Sequence, residues 1–244
     1  QSCVPMTIRL ILGRGWGQGP THSQNLHAWF AHIPGLKVVM PATASDAKGL
    51  LLSSIFDNSP VVFLEHRWLH NLEGDVDEGD TRVEIGKAAV LREGADITIV
   101  SMSYMTVEAL HACEALEKVG VSCDLIDLRT VRPIDWGTIN TSVKKTGKLL
   151  VLDTGSKTLS VASEIVASVT EKSWKYLTMA PKRVALPDSP EPTSTQLTKD
   201  YYVDALNIVE EVIAMTGKDQ DMEPITITKR SPHDVPGEWF KGPF

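Results

Sequence analysis

Short apolar runs separated by helical rhythm constrain this chain more than any other feature. Leu36–Met40, Pro60–Glu65, Ile97–Met102, Val121–Leu128 and Leu149–Asp153 are too short for typical helices and read as strands, the first two buried. Between them the apolar spacing changes to i, i+3, i+4. Ala47, Leu50, Leu51, Ser54 and Ile55 follow a Thr43-x-x-Asp46 capping box, and Met105, Ala109, Ala112, Leu116 and Val119 form one helical face closed by Gly120. Strands joined by helices predict an α/β fold with parallel sheets, and each β-α-β unit is a right-handed crossover by default. A strand-like Val4–Ile11 opens the chain. A helix around Val161–Val169, a strand Arg183–Leu186 and a helix from about Val203 to Met215 close it.

The segment from Asn71 to Thr81 is acidic and carries Gly74 and Gly79, the composition of a linker. Three parts are expected: 1–75, 76–217 and a tail, 218–244. In the tail Pro224, Pro232, Pro236 and Pro243 deny regular structure, while Trp239, Phe240 and Phe244 should pack on its own domain or on a neighbouring subunit. A length of 244 with 42 % apolar residues suits this organisation, and a net charge of −7 argues against nucleic acid or an anionic membrane surface as partner. No apolar run reaches the ~18 residues of a membrane span. Cys3, Cys113 and Cys123 form no C-x-x-C pair, which fits a reducing cytosol or organelle matrix. The chain begins at Gln1 and enters a strand at once, so it reads as a piece of something longer.

Chemistry is concentrated between Gly13 and Pro41. Gly13, Gly15, Gly17 and Gly19, followed by Pro20, describe a loop whose backbone can come close to another group. His22, Ser23 and Gln24 then stand at the mouth of a helix that Thr21 or Ser23 can cap, and the helix runs through His27, Ala28, Phe30 and Ala31 to the Pro34-Gly35 break. A glycine loop feeding a helix start is a natural anion site. The spacing nevertheless matches neither G-x-G-x-x-G nor G-K-[ST]. His22, His27 and His32 are five apart, which scatters them around a helix and argues against zinc. His66 and His70, four apart after a strand, read as solvent-exposed.

The run His22-Ser23-Gln24, Trp29-Phe30, His32, Pro34-Gly35-Leu36-Lys37-Val38-Val39 and Pro41, then Asp46-Ala47-Lys48-Gly49-Leu50, resembles the beta subunit of the thiamine-diphosphate-dependent decarboxylase component of 2-oxo acid dehydrogenase complexes. The likeness continues through Asp57–Val62, Leu64-Glu65 and Asp127–Asp135, and covers roughly Val4 to Gly217. It implies a partial pyrimidine-binding parallel-sheet domain followed by a transketolase C-terminal-like α/β domain. It also implies that the segment bearing the glutamate that pairs with the cofactor's aminopyrimidine lies before Gln1.

Further expectations come with the resemblance. Thiamine diphosphate with magnesium would lie between two subunits. Gly74-Asp75 and Gly79-Asp80 lack the second glycine of the family's metal-binding Gly-Asp-Gly, so the diphosphate and metal fall to a partner. Asp153 is followed by Thr154-Gly155-Ser156-Lys157-Thr158 where the family has a glycine pair. The resemblance assigns His22 to the reaction and carries a potassium site onto Met6, Ser54, Ile55, Asp57 and Ser59, a donor set suited to a hard cation. The partners it implies are an alpha-type subunit, a second beta-type subunit and a lipoyl-bearing acyltransferase, in the cytoplasm or, in a eukaryote, the mitochondrial matrix. A non-catalytic assembly piece and a split transketolase-type enzyme are the alternatives.

Overall fold

The computed structural model describes residues 3–14, 17–218, 235–236 and 240. Strands β1 (Thr7–Leu12), β2 (Lys37–Val39) and β3 (Val61–His66) form a parallel sheet in the order β1-β3-β2. Strand β7 (Thr130–Arg132), from the second half of the chain, adds to β2 antiparallel. The second sheet has the order β4-β6-β5-β8-β9, built from β4 (Ala89–Arg92), β5 (Ile97–Ser101), β6 (Cys123–Asp127), β8 (Leu149–Ser156) and β9 (Lys182–Leu186). All its pairings are parallel except β4 on β6. Helices α1 (His27–His32), α2 (Ala44–Ile55), α3 (Tyr104–Glu117), α4 (Trp136–Thr146), α5 (Val161–Ser173) and α6 (Ala205–Thr216) complete the fold.

The α/β reading holds, and the five apolar runs are β2, β3, β5, β6 and β8. Helix α2 starts where the capping box places it: Thr43 Oγ1 accepts from the Asp46 amide at 3.1 Å. Strand β4, strand β7 and helix α4 escaped the sequence reading. For α4 the cause is chemical. Two of its four buried residues are polar, and Ser142 and Thr146 turn their hydroxyls onto Thr98 at 2.7 Å, so the apolar rhythm is broken where the helix packs. Strand β7 is too short to signal itself and pairs only across the two halves.

The two sheets share one core. Leu12, Val38, Met40, Val62 and Leu64 of the first pack with Val100, Ile126 and Val151 of the second and with Ile139, Val143 and Ile165 of α4 and α5. Each such side chain contributes about 1.5–3 kcal/mol by leaving water, so the halves stabilise one another. A second core lies between the second sheet and α3 and α6, including Ile99, Leu116, Leu125, Ile208 and Val212. The acidic stretch 73–82 is exposed and carries no helix or strand. Most of the tail expectation lies outside the described residues, but Phe240 is buried, with its ring 6.5 Å from that of Trp68.

Candidate active site

In open α/β sheets ligands bind beyond the carboxyl ends of the strands, and here β1 leads into the glycine loop beside the end of β3. That loop is folded back on protein. Gly13, at φ 75°, lies so close to His66 that a Cβ would fall 2.2 Å from its Nε2, and the Gly13 amide donates to the Gln24 carbonyl at 3.2 Å. Gly19, at φ 66°, leaves room for Thr193, whose Oγ1 would lie 2.4 Å from an added Cβ. The close approaches that demand glycine at these two positions are therefore to His66 and Thr193.

The helix after the loop is shorter than its sequence suggests. It begins at His27, five positions beyond His22, with Leu26 at its N-cap and no side-chain cap bond. Thr21 and Ser23 do not cap it, and His22 does not face a helix terminus. His22 is exposed in a turn closed by its own amide and the Gly19 carbonyl at 3.4 Å. Its Nδ1 shares a hydrogen bond with Thr21 Oγ1 at 2.8 Å, which leaves Nε2 as donor or acceptor, according to the tautomer.

Of the three histidines in this stretch, His27 is the buried one. Its Nε2 lies 2.9 Å from Asp153 Oδ1, and both side chains are at most 1 % exposed. Asp153 also accepts from the amides of Gly155 at 2.8 Å and Ala162 at 3.0 Å. Burial alone would raise this carboxyl, but His27 and the two amides hold it below the usual carboxylate range. His27 Nδ1 has no partner among the described residues. Gly155, in the stretch where the family pattern has a glycine pair, lies against Asn25 and His27, and an added Cβ would be 3.1 Å from each. His27 and Asp153 also line a cavity of about 1240 Å³, together with Trp29, Pro133, Trp136 and Leu159.

A polar-aromatic cluster backs the loop. His66 is buried, not exposed as its position after a strand suggested. Its ring stacks on Tyr104 at 5.1 Å, and its Nδ1 accepts the Trp68 amide at 3.2 Å. Burial, aided by nearby His70 and Arg67, lowers its pKa to about 3. The guanidinium of Arg14 lies 4.7 Å from the Trp68 ring centroid and 3.8 Å from that of Tyr202. Glu191, which accepts from Tyr202 Oη at 3.2 Å, is raised by burial to about 7. Among the described residues no group of three His, Cys, Asp or Glu could hold a metal.

Of the residues carried over for potassium, Ser54, Ile55, Asp57 and Ser59 lie between the end of α2 and the start of β3, and Met6 just before β1. The Met6 carbonyl accepts the Val61 amide at 2.8 Å, and the Ser54 carbonyl accepts the Asp57 amide at 3.3 Å. Asp57 itself takes the Lys37 ammonium at 2.5 Å and the Ser59 amide at 2.8 Å. Its charge is thus already matched by Lys37.

Two sheets in this order, joined by a shared core, define a transketolase-like α/β protein. Residues 86–208 match the family model "Transketolase, C-terminal domain" and residues 1–71 match "Transketolase, pyrimidine binding domain". The chain belongs to the transketolase family. Among curated proteins it is 43 % identical to the pyruvate dehydrogenase E1 component subunit beta of Bacillus subtilis (strain 168), over 78 % of this chain and 59 % of that one. It is 41 % identical to the acetoin:2,6-dichlorophenolindophenol oxidoreductase subunit beta of Cupriavidus necator, over 82 % of this chain and 59 % of the relative. A mitochondrial pyruvate dehydrogenase E1 subunit beta-1 of Oryza sativa subsp. japonica is 42 % identical over 80 % of this chain and 54 % of its own. The chain thus spans 54–59 % of the length of these relatives. A solved structure titled "Split gene transketolase, inactive beta4 tetramer" aligns with a TM-score of 0.71 at 24 % identity, over 86 % of this chain and 66 % of that one, which speaks to the fold alone.

Proposed function

We propose that this chain serves in the beta-type subunit of a thiamine-diphosphate-dependent 2-oxo acid dehydrogenase, decarboxylating a 2-oxo acid and passing the acyl group to a lipoyl carrier. The observation that carries the reading is the 43 % identity to a pyruvate dehydrogenase E1 beta subunit over 78 % of this chain. An alpha-type subunit, a second beta-type subunit and the further length that the relatives possess complete the enzyme, in the cytoplasm or the mitochondrial matrix.

Thiamine diphosphate, held with magnesium, would supply the bond-breaking chemistry. The described residues do not fit its diphosphate and metal: the loop glycines Gly13 and Gly19 are taken up by His66 and Thr193, so that grip belongs to the alpha-type partner. What this chain contributes is His22. Fixed at Nδ1 by Thr21, the ring presents Nε2 to bond the substrate's oxygen or to move a proton during acyl transfer. Potassium at the corner of Met6, Ser54, Ile55, Asp57 and Ser59 would brace the first sheet without entering the reaction.

Acetoin as the donor is a second reading, favoured by the 41 % identity to an acetoin oxidoreductase subunit beta. The two separate in one assay: the full-length chain assembled with an alpha-type subunit is given pyruvate, a branched-chain 2-oxo acid or acetoin, with dichlorophenolindophenol as acceptor. Turnover of a 2-oxo acid supports the first reading and turnover of acetoin alone the second. An assembled enzyme that turns over none of them contradicts both.

A further inference from the structure

We infer that His27 is a positioning residue: its buried bond to Asp153 fixes the segment that presents His22, so that the second half of the chain sets the geometry of a group carried by the first. The inference rests on the reading of His22 given above. Helix α1 has six residues and no side-chain N-cap, so neither its length nor its capping holds the preceding chain in place. Three contacts do. At one end Gly19 seats against Thr193, in the middle the Gln24 carbonyl takes the Gly13 amide, and at the other end His27 meets Asp153.

Of the three, the last is the strongest bond. Asp153 is immobilised by the Gly155 amide and by Ala162 in the first turn of α5, and its bond to His27 is charge-assisted and shielded from water. The donor is the Nε2–H, because the carboxylate can only accept. Glutamine places its own Nε2–H near the same point, whereas leucine fills the space and leaves Asp153 without that donor.

The test has two arms. In the chain alone, amide hydrogen exchange is followed at Gly13 and His22, whose N–H groups are bonded within this segment, with Val151 in β8 as the internal reference. His27→Leu should speed exchange at Gly13 and His22 at least tenfold with Val151 unchanged, and His27→Gln should restore protection. Equal protection in the leucine variant overturns the inference. So does loss at all three amides that glutamine fails to rescue, since that marks general loosening.

In the full-length alpha–beta assembly, His27→Leu should lower kcat about tenfold or more with KM within twofold, and His27→Gln should recover most of it. Placed on His22→Ala, the same leucine substitution should cost less than twofold, because the group it positions is gone. Additive losses would show that His27 acts by another route and overturn the inference. If His22→Ala kept native turnover, the reading of His22 would fall, and the exchange arm would still judge the clamp by itself.

Discussion

Glu191 and His66 make the stability of this fold depend on pH in opposite directions. Glu191 is raised from 4.5 to about 7, so between those values the folded state keeps a proton that the unfolded chain has lost, and stability falls as pH rises through that window. His66 is lowered from 6.5 to about 3, so the unfolded chain takes the extra proton and stability falls as pH drops below 6.5. Each contributes about 1.4 kcal/mol per pH unit inside its window. Urea unfolding of Glu191→Gln and the native chain at pH 5 and pH 8 isolates the first term: relative to the native chain, the variant should gain stability at the higher pH. A difference independent of pH would contradict it. At the same scale, His22→Ala in the full assembly should lose at least about 100-fold in turnover while the subunits still associate, as removal of an acid–base group does. Turnover near that of the native enzyme, or a heavier loss from His32→Ala, would remove His22 from the reaction. His22 stood out in the sequence because its neighbours carry a recognisable motif. His27 did not, because its partner lies 126 positions away and no local spacing announces the pair.

At the scale of elements, strands and helices that bury apolar stripes were legible, and those that bury polar groups or pair across halves were not. Helix α2 declared itself through Thr43 and Asp46, and α6 through its apolar face, ending at Gly217 in the left-handed conformation with φ 71°. Helix α1 was drawn too long, because a run of cap-forming residues stands before it and the Gly13–Gln24 bond that holds them out of the helix is not local. The corner between the end of α2 and the start of β3 carries the potassium proposal. Lys37 already neutralises Asp57, so selectivity would rest on carbonyl spacing and favour the larger ion. Potassium chloride should raise the melting temperature above that in sodium chloride at equal ionic strength, by up to about 2.7 kcal/mol of linkage at a hundredfold excess over Kd. Equal melting temperatures would remove the site.

Across the whole molecule, the linker-like segment separates two sheets that share a core. The acidic stretch 73–82 is exposed as its composition suggests, yet β7 crosses back to the first sheet and Val38, Val62, Val100 and Val151 share one apolar interior. The sequence pattern of each half carries its own strands and helices; the sharing appears only when the halves meet. The glycine loop likewise spends its special backbone on His66 and Thr193, in keeping with the proposal that the diphosphate grip lies on another chain. Calorimetric titration with thiamine diphosphate in the presence of magnesium tests that division most directly, on the 244-residue chain alone and on the full-length form assembled with an alpha-type subunit. The account predicts micromolar binding for the assembly and none in that range for the chain alone, since each charge-assisted contact proposed to come from the partner is worth about 1.5–3 kcal/mol. Micromolar affinity of the isolated chain, or none in the assembly, would contradict it.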